Sequence, residues 1–259
     1  MTRIIAIASG KGGVGKTMIT ANLALALAAL GKKVVAVDAD LDMANLELAF
    51  GMEGRPITLQ DVLNGEAKIE DAIYEVGKNA SFVPAGISPS QFKRVDPEKL
   101  SDIISKLAEG QDVVLLDCPA GIGRDTIACF SACKETILVM TAEPMSATDG
   151  FKTSIAAAKM GSEVIGVVIN MIKDAKGELK DKEITSLVNV PILARIKYDK
   201  EVLESVINGR PIVTSNPSNE SASSIKKLAA ELVGATYIPE APKKSLMQSI
   251  LGIFSRKKK

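Results

Sequence analysis

Nearly continuous apolar runs alternate along the chain with segments of helical periodicity. Runs rich in Val and Ile occur at residues 3–9 (RIIAIAS), 33–38 (KVVAVD), 112–117 (DVVLLD), 136–142 (TILVMTA) and 164–170 (VIGVVIN), with a shorter one at 191–196 (PILARI). They do not alternate apolar with polar positions, which predicts parallel strands covered on both faces. Between the first two runs, residues 17–31 are apolar on most sides of a helix, predicting a well-buried helix closed by Gly31. Asp96-Pro97 predicts a second helix, with Asp as N-cap and Pro at the first helical position, stopping before Gly110. Asn216-Pro217 predicts a third start, for a helix reaching about Val233. The alternation is that of an α/β fold: a single doubly wound, mostly parallel sheet with helices on both faces. The expected organisation is one domain over residues 1–233, a linker with two prolines over 234–244, and a tail over 245–259.

The tail has its own pattern. On a helix of about 100° per residue, Leu246, Met247, Ile250, Leu251, Ile253 and Phe254 share an arc of roughly 160°. Gln248, Ser249, Gly252, Ser255 and Arg256 take the rest, and the chain ends in Arg256, Lys257, Lys258 and Lys259. A short amphipathic helix with a basic end fits an anionic lipid surface and is too short to span a bilayer. A last helix docked on the protein's own core would carry the same stripe. The linker prolines and the terminal basic cluster favour the lipid reading.

Composition narrows the chemistry. Of 259 residues, 46% are hydrophobic and 24% charged, as in a soluble globular protein. Thirty-two basic residues nearly balance thirty-one acidic ones, but Lys243 to Lys259 hold six positive charges and no acid. The remainder carries 26 basic and 31 acidic residues, a formal −5, a poor surface for nucleic acid, which is not an expected partner. There is no histidine, so Ser-His-Asp triads, imidazole bases and histidine metal sites are excluded. Tryptophan is absent and aromatics are 3%, which argues against a base-stacking platform. Cys118, Cys129 and Cys133 form no CxxC pair, so a disulfide framework is not expected and the compartment reads as reducing. Cys129 and Cys133 lie one helical turn apart, and buried free thiols are the expected reading. The first residues do not read as a signal peptide, and no apolar run approaches the roughly 20 residues of a membrane-spanning helix.

Residues 10–17, Gly10-Lys11-Gly12-Gly13-Val14-Gly15-Lys16-Thr17, match G-x-x-x-x-G-K-[ST] between a strand and a helix. Glycines let the backbone curl so that its N–H groups face phosphate oxygens, and the helix N-terminus adds positive potential there. Lys16 then supplies a full charge to the phosphates and the Thr17 hydroxyl a ligand for Mg²⁺. Met18 completes the expected nucleotide-binding run. Lys11 is surplus to an ordinary phosphate loop and suggests extra charge neutralisation or reach to a neighbouring subunit's nucleotide. Asp38 and Asp117 end apolar runs, with Asp40 and Asp42 close behind Asp38. Ligands of doubly wound sheets bind at the carboxyl ends of strands. Asp38, Asp40 and Asp117 are therefore expected to converge on the triphosphate and its metal, with Thr17, Asp38 and Asp117 as Mg²⁺ ligands. Asp42 reads as a solvated loop carboxylate. Gly121 and Gly123 let the loop after Asp117 shift.

The run from Lys11 to Thr17, DADLDMANLEL at 38–48 and DCPAGIG at 117–123 together resemble the deviant Walker A ATPases of the MinD/ParA group. The resemblance covers nearly the whole chain. It implies a P-loop NTPase fold and Mg²⁺-dependent hydrolysis of ATP, slow without dimerisation or an activator. It implies Lys11, Lys16 and Asp40 as the catalytic set: Lys11 crosses to the partner's phosphates in an ATP-bound homodimer, and Asp40 positions the attacking water. Asp38 and Asp40 fall in the group's switch I and Asp117 in its switch II. Asn170 resembles the asparagine that recognises adenine, although it also suits a strand-ending turn. Asp149 resembles an aspartate near the dimer or regulator surface. Met18 departs from the group, where a second threonine is common. Iron–sulfur relatives place their cysteines differently. By the same resemblance the protein is cytoplasmic and peripheral on the inner face of the cell membrane, works with a regulatory or cargo protein, and helps position the cell-division site. A partition-type ATPase moving DNA or another cargo is the alternative.

Overall fold

The computed structural model describes residues 2–86 and 96–239. The proposed tail and the last five residues of the linker, 240–244, lie outside the described residues. Among the described residues eight strands form one sheet: β1 (Arg3–Ser9), β2 (Val34–Asp38), β3 (Tyr74–Gly77), β4 (Ala80–Val83), β5 (Val113–Ala120), β6 (Glu135–Thr141), β7 (Glu163–Ile172) and β8 (Ile192–Lys197). Their order is β3-β4-β2-β5-β1-β6-β7-β8, and every pairing is parallel except β3 with β4.

The helices are α1 (Lys16–Ala29), α2 (Leu46–Phe50), α3 (Leu59–Asn64), α4 (Pro97–Leu107), α5 (Arg124–Ala132), α6 (Pro144–Lys159), α7 (Asp181–Val188), α8 (Lys200–Ile207), α9 (Ile212–Ser215) and α10 (Glu220–Leu232). They divide between two cores, one on each face of the sheet. Ala6, Ala8, Val35, Val37, Val114 and Leu116 face one core, with residues of α4, α5, α6 and α7. Their neighbours Ile5, Ile7, Val34, Ala36, Val113 and Leu115 face the other, with α1, α2, α9 and α10. Successive side chains of a strand point to opposite faces, and both faces are covered, so the apolar runs are continuous. Buried Asn22 ties α1 to α9: its Oδ1 accepts the Val213 N–H at 3.0 Å and its Nδ2 donates to the Met18 carbonyl at 2.8 Å.

Six of the strands coincide with the apolar runs. The β3–β4 hairpin does not follow from them, because β3 alternates half-buried and exposed positions and each strand is only four residues long. Its signal is the turn Gly77-Lys78-Asn79, in which Asn79 takes a left-handed φ of 63°. The helix expected from Asn216-Pro217 starts later, at Glu220. Asn219 is its cap, with Oδ1 accepting the N–H groups of Ser221 and Ala222 at 2.8 and 3.4 Å. Asn216 instead donates to Glu201 at 2.8 Å.

Asn219 also donates to Asp199 and Glu201 at 2.7 and 2.9 Å, so it joins α8 to α10 as well as capping. Asn219→Ala is expected to cost about 1–2 kcal/mol, lowering Tm by about 2–4 °C per kcal/mol. Asn216→Ala is expected to cost less than about 0.5 kcal/mol. Thermal unfolding of both variants checks the assignment, and the reverse order would refute it.

Candidate functional site

The parallel arrangement brings the carboxyl ends of β1, β5 and β2 to one edge of the sheet. There β1 turns into the glycine loop, held by the Ser9 hydroxyl donating to the Lys11 carbonyl at 2.8 Å and by the Gly121 N–H donating to the Ser9 carbonyl at 2.9 Å. Gly13 and Gly15 take left-handed φ values of 77° and 92°, and Gly15 delivers the chain into α1. Gly10 answers a different need: a Cβ there would run into the backbone of Asp149 on α6.

Lys16 and Thr17 open α1 beneath this loop, with Lys16 almost fully buried. The Thr17 hydroxyl donates to Asp117 Oδ2 at 2.5 Å. One helical turn on, the fully buried Thr20 hydroxyl lies 3.3 Å from Asp117 Oδ1 and 3.0 Å from the Lys16 carbonyl. Thr20 was not singled out in the sequence, although a hydroxyl three residues after Thr17 falls on the same helix face. Burial pushes the Asp117 carboxyl up to about 6, opposed by Thr17, Lys16 and Thr20.

Asp38 on β2 pairs in register with Asp117 on β5. Burial and then Asp117 push its carboxyl up to about 8, against three backbone N–H groups that it accepts. Asp40 is half-buried, accepts the Met43 N–H at 3.0 Å, and is raised above the ordinary carboxylate range chiefly by burial. Asp42 is exposed, as expected.

A cavity of about 630 Å³ gathers Gly12, Gly13, Gly15, Lys16, Thr17, Met18, Asp40 and Asn170. Asn170, at the carboxyl end of β7, donates from Nδ2 to the Val14 carbonyl at 2.8 Å and packs against Gly15. The opposite wall is apolar: Leu48 and Ala49 of α2, and Val202, Leu203 and Val206 of α8. The periodic runs did not point to that wall. Lys11 does not line this cavity; its ammonium lies 3.8 Å from Glu143, both half-exposed. Asp149 stands beside the loop through its backbone, and its carboxylate pairs with Lys152 at 3.3 Å.

Residues 5–212 match the CobQ/CobB/MinD/ParA nucleotide binding domain. The chain belongs to the MinD/ParA family. It is 41% identical to an ATP-binding protein of Methanocaldococcus jannaschii, over 99% of this chain and 98% of that one. Among solved structures it is similar to the septum site-determining protein MinD of Pyrococcus horikoshii complexed with Mg-ADP. That likeness has a TM-score of 0.85 and 39% identity, covering 90% of this chain and 96% of the other. It is also similar to the MinC:MinD cell division protein complex of Aquifex aeolicus, with a TM-score of 0.83 and 28% identity over 93% of this chain and 99% of that one. The P-loop NTPase architecture expected from the motifs is the one found. MinD/ParA-family members are ATPases.

The donor set fits the metal that the MinD/ParA fold implies. Thr17 and Asp117 offer hard oxygens, and Mg²⁺ takes one or two carboxylates beside phosphate and water. Among the described residues no group of three or more acids and cysteines forms a closed metal cage. The cysteines stand apart from this chemistry. All three are buried and free, and burial pushes the Cys118 and Cys133 thiols up. Cys118 has Cys129 as its thiol neighbour, a pairing that sequence spacing did not suggest.

The two roles of loop glycine separate by substitution. Gly10→Ala is expected to lose about 1–3 kcal/mol through overpacking against α6. Gly12→Ala, whose Cβ would meet only the Ala120 side chain at 3.8 Å, is expected to lose less than about 0.5 kcal/mol. Urea unfolding of the two variants measures the difference, and equal losses would refute the close approach.

Proposed function

We propose that this protein is a Mg²⁺-dependent ATPase switch of the MinD type, acting in placement of the cell-division site. The observation that carries the reading is the junction of buried Asp117 with Thr17, which lines a cavity together with Lys16 and Asp40. Thr17 and Asp117 would hold Mg²⁺, which when bound would supply charge to the transferring phosphoryl group. Lys16 and the loop N–H groups bind phosphate oxygens, and Asn170 faces the adenine. Asp40 orients the attacking water. Its raised range adds some basicity, yet orientation and electrostatics remain the larger contributions in phosphoryl transfer. The Mg-ADP bound by the Pyrococcus horikoshii relative supports the choice of ligand.

Lys11 acts across a homodimer. Its place outside the cavity supports a role toward a second copy's nucleotide, with Glu143 as its counter-ion in the single chain. Hydrolysis is then slow until two chains close on two nucleotides. The basic amphipathic tail, with Leu246, Met247, Ile250, Leu251, Ile253, Phe254 and Arg256 to Lys259, binds anionic lipid on the inner face of the membrane. One tail binds weakly and two bind through effective concentration, so ATP-driven pairing sets membrane residence. No helix among the described residues is long and apolar enough to cross a membrane. A regulator or cargo protein completes the cycle, and the MinC complex of the Aquifex relative supports such a partner.

Asp40→Ala is expected to reduce phosphate release by about 100-fold or more while Mg-ATP binding by calorimetry stays near wild type. A variant as active as the parent would remove Asp40 from the chemistry. Co-sedimentation with anionic liposomes is expected for the full chain with ATP, and neither with ADP nor for a chain ending at Pro242. Pelleting with DNA in place of lipid would favour the partition-type alternative.

A further inference from the structure

Asp38 has no exposed surface, and both of its oxygens are engaged within the chain. Oδ1 accepts the Asp40 N–H at 3.1 Å. Oδ2 accepts the N–H groups of Asn45 and Leu46 at 3.0 and 2.9 Å. Three bonds to one carboxylate fold residues 38–46 into a closed strap, and within it Asp40 is placed against the Met43 N–H. The strap's far end is pinned too. It leads into α2, whose closing Gly51 presses its backbone on that of Gly209, after α8, with both glycines in left-handed φ.

Position in the sheet separates Asp38 from the metal-holding pair. Strand β5 lies between β2 and β1, so Asp38 sits two strand spacings, about 10 Å, from the strand that enters the glycine loop. Asp117 fills the intervening place, aligned with Ile7 of β1 on one side and Asp38 on the other, and it receives the Thr17 hydroxyl. Oδ2 already accepts two N–H groups, so to ligate a cation through it Asp38 would have to release one of the amides at the start of α2, while Oδ1 accepts a single N–H, that of Asp40.

We infer that Asp38 is a positioning residue that holds the 39–46 strap and so aims Asp40 into the cavity, and that it is not a ligand of the cation held by Thr17 and Asp117. The catalytic consequence rests on the nucleotide reading above; the anchoring of the strap does not. A carboxylate this deeply engaged acts on the reaction through the loop it folds, so its loss is felt in turnover and not in metal affinity.

Amide hydrogen exchange by NMR tests this directly. In the wild-type chain the Asn45 and Leu46 amides are expected to be protected without nucleotide and to stay protected with Mg-ADP. In Asp38→Asn, which keeps one acceptor oxygen and replaces the other with an NH2 that cannot accept, either the Asp40 amide or the Asn45 and Leu46 amides are expected to exchange about tenfold faster or more, with β5 amides unchanged. By calorimetry the variant keeps the wild-type gain in ADP affinity on adding Mg²⁺, while kcat falls and KM for Mg-ATP holds. Three results would overturn the inference: unprotected amides in the wild type, protection lost on binding Mg-ADP, or loss of the Mg²⁺ gain in the variant. Should Asp38→Asn not fold, the two wild-type measurements decide. Should the wild type bind no Mg-ADP, the nucleotide reading fails, and exchange in the free chain still judges the anchor.

Discussion

Two carboxylates buried side by side constrain everything at the working edge of this sheet. Asp38 and Asp117 face each other across neighbouring strands, and desolvation raises both. Such a pair persists only if surrounding groups satisfy it. The fold supplies them from different directions. Thr17, Thr20 and Lys16 on α1 serve Asp117, which fixes the first turn of that helix beneath the glycine loop. Backbone amides of the following loop serve Asp38, which fixes the shape of that loop. The first turn of α1 under the glycine loop and the loop after Asp38 are thus two answers to one electrostatic problem.

How much of this was readable from the chain depends on whether the information is local. The central strands were readable because both faces are covered and the runs are continuously apolar, as in VVAV and VVLL. The phosphate loop was readable because the turns at Gly13 and Gly15 are local and leave glycines at fixed spacing. The hairpin of β3 and β4 was not, because β3 is a partly exposed edge strand and β4, though mostly buried, is only four residues long. The cap of α10 was misplaced by three residues for a similar reason: Asn216-Pro217 and Asn219 are both good starts locally, and contacts to Asp199 and Glu201 favour the second.

The parts of the site were legible in the sequence, and the order of the strands that carry them was not. Asp38 and Asp117 look alike in sequence, each ending an apolar run, but β5 and not β2 lies next to β1. Strand order follows from packing over the whole sheet, so a linear pattern cannot rank the two carboxylates by distance from the loop. The apolar wall from α2 and α8 was hidden likewise, since Leu48 and Val202 lie far apart in the chain. Membership of the MinD/ParA family supplies the general activity of such a site.

The contact of Gly10 with Asp149 bears on how the motif itself is understood. The first letter of the glycine signature is set by a helix arriving from more than a hundred residues later, and a methyl group at that point has nowhere to go. Part of what makes the signature recognisable is therefore a record of how tightly α6 is seated, inscribed in the loop that it touches. Any force that tilted α6 would be transmitted to the loop without an intervening side chain to absorb it, because backbone rests on backbone there.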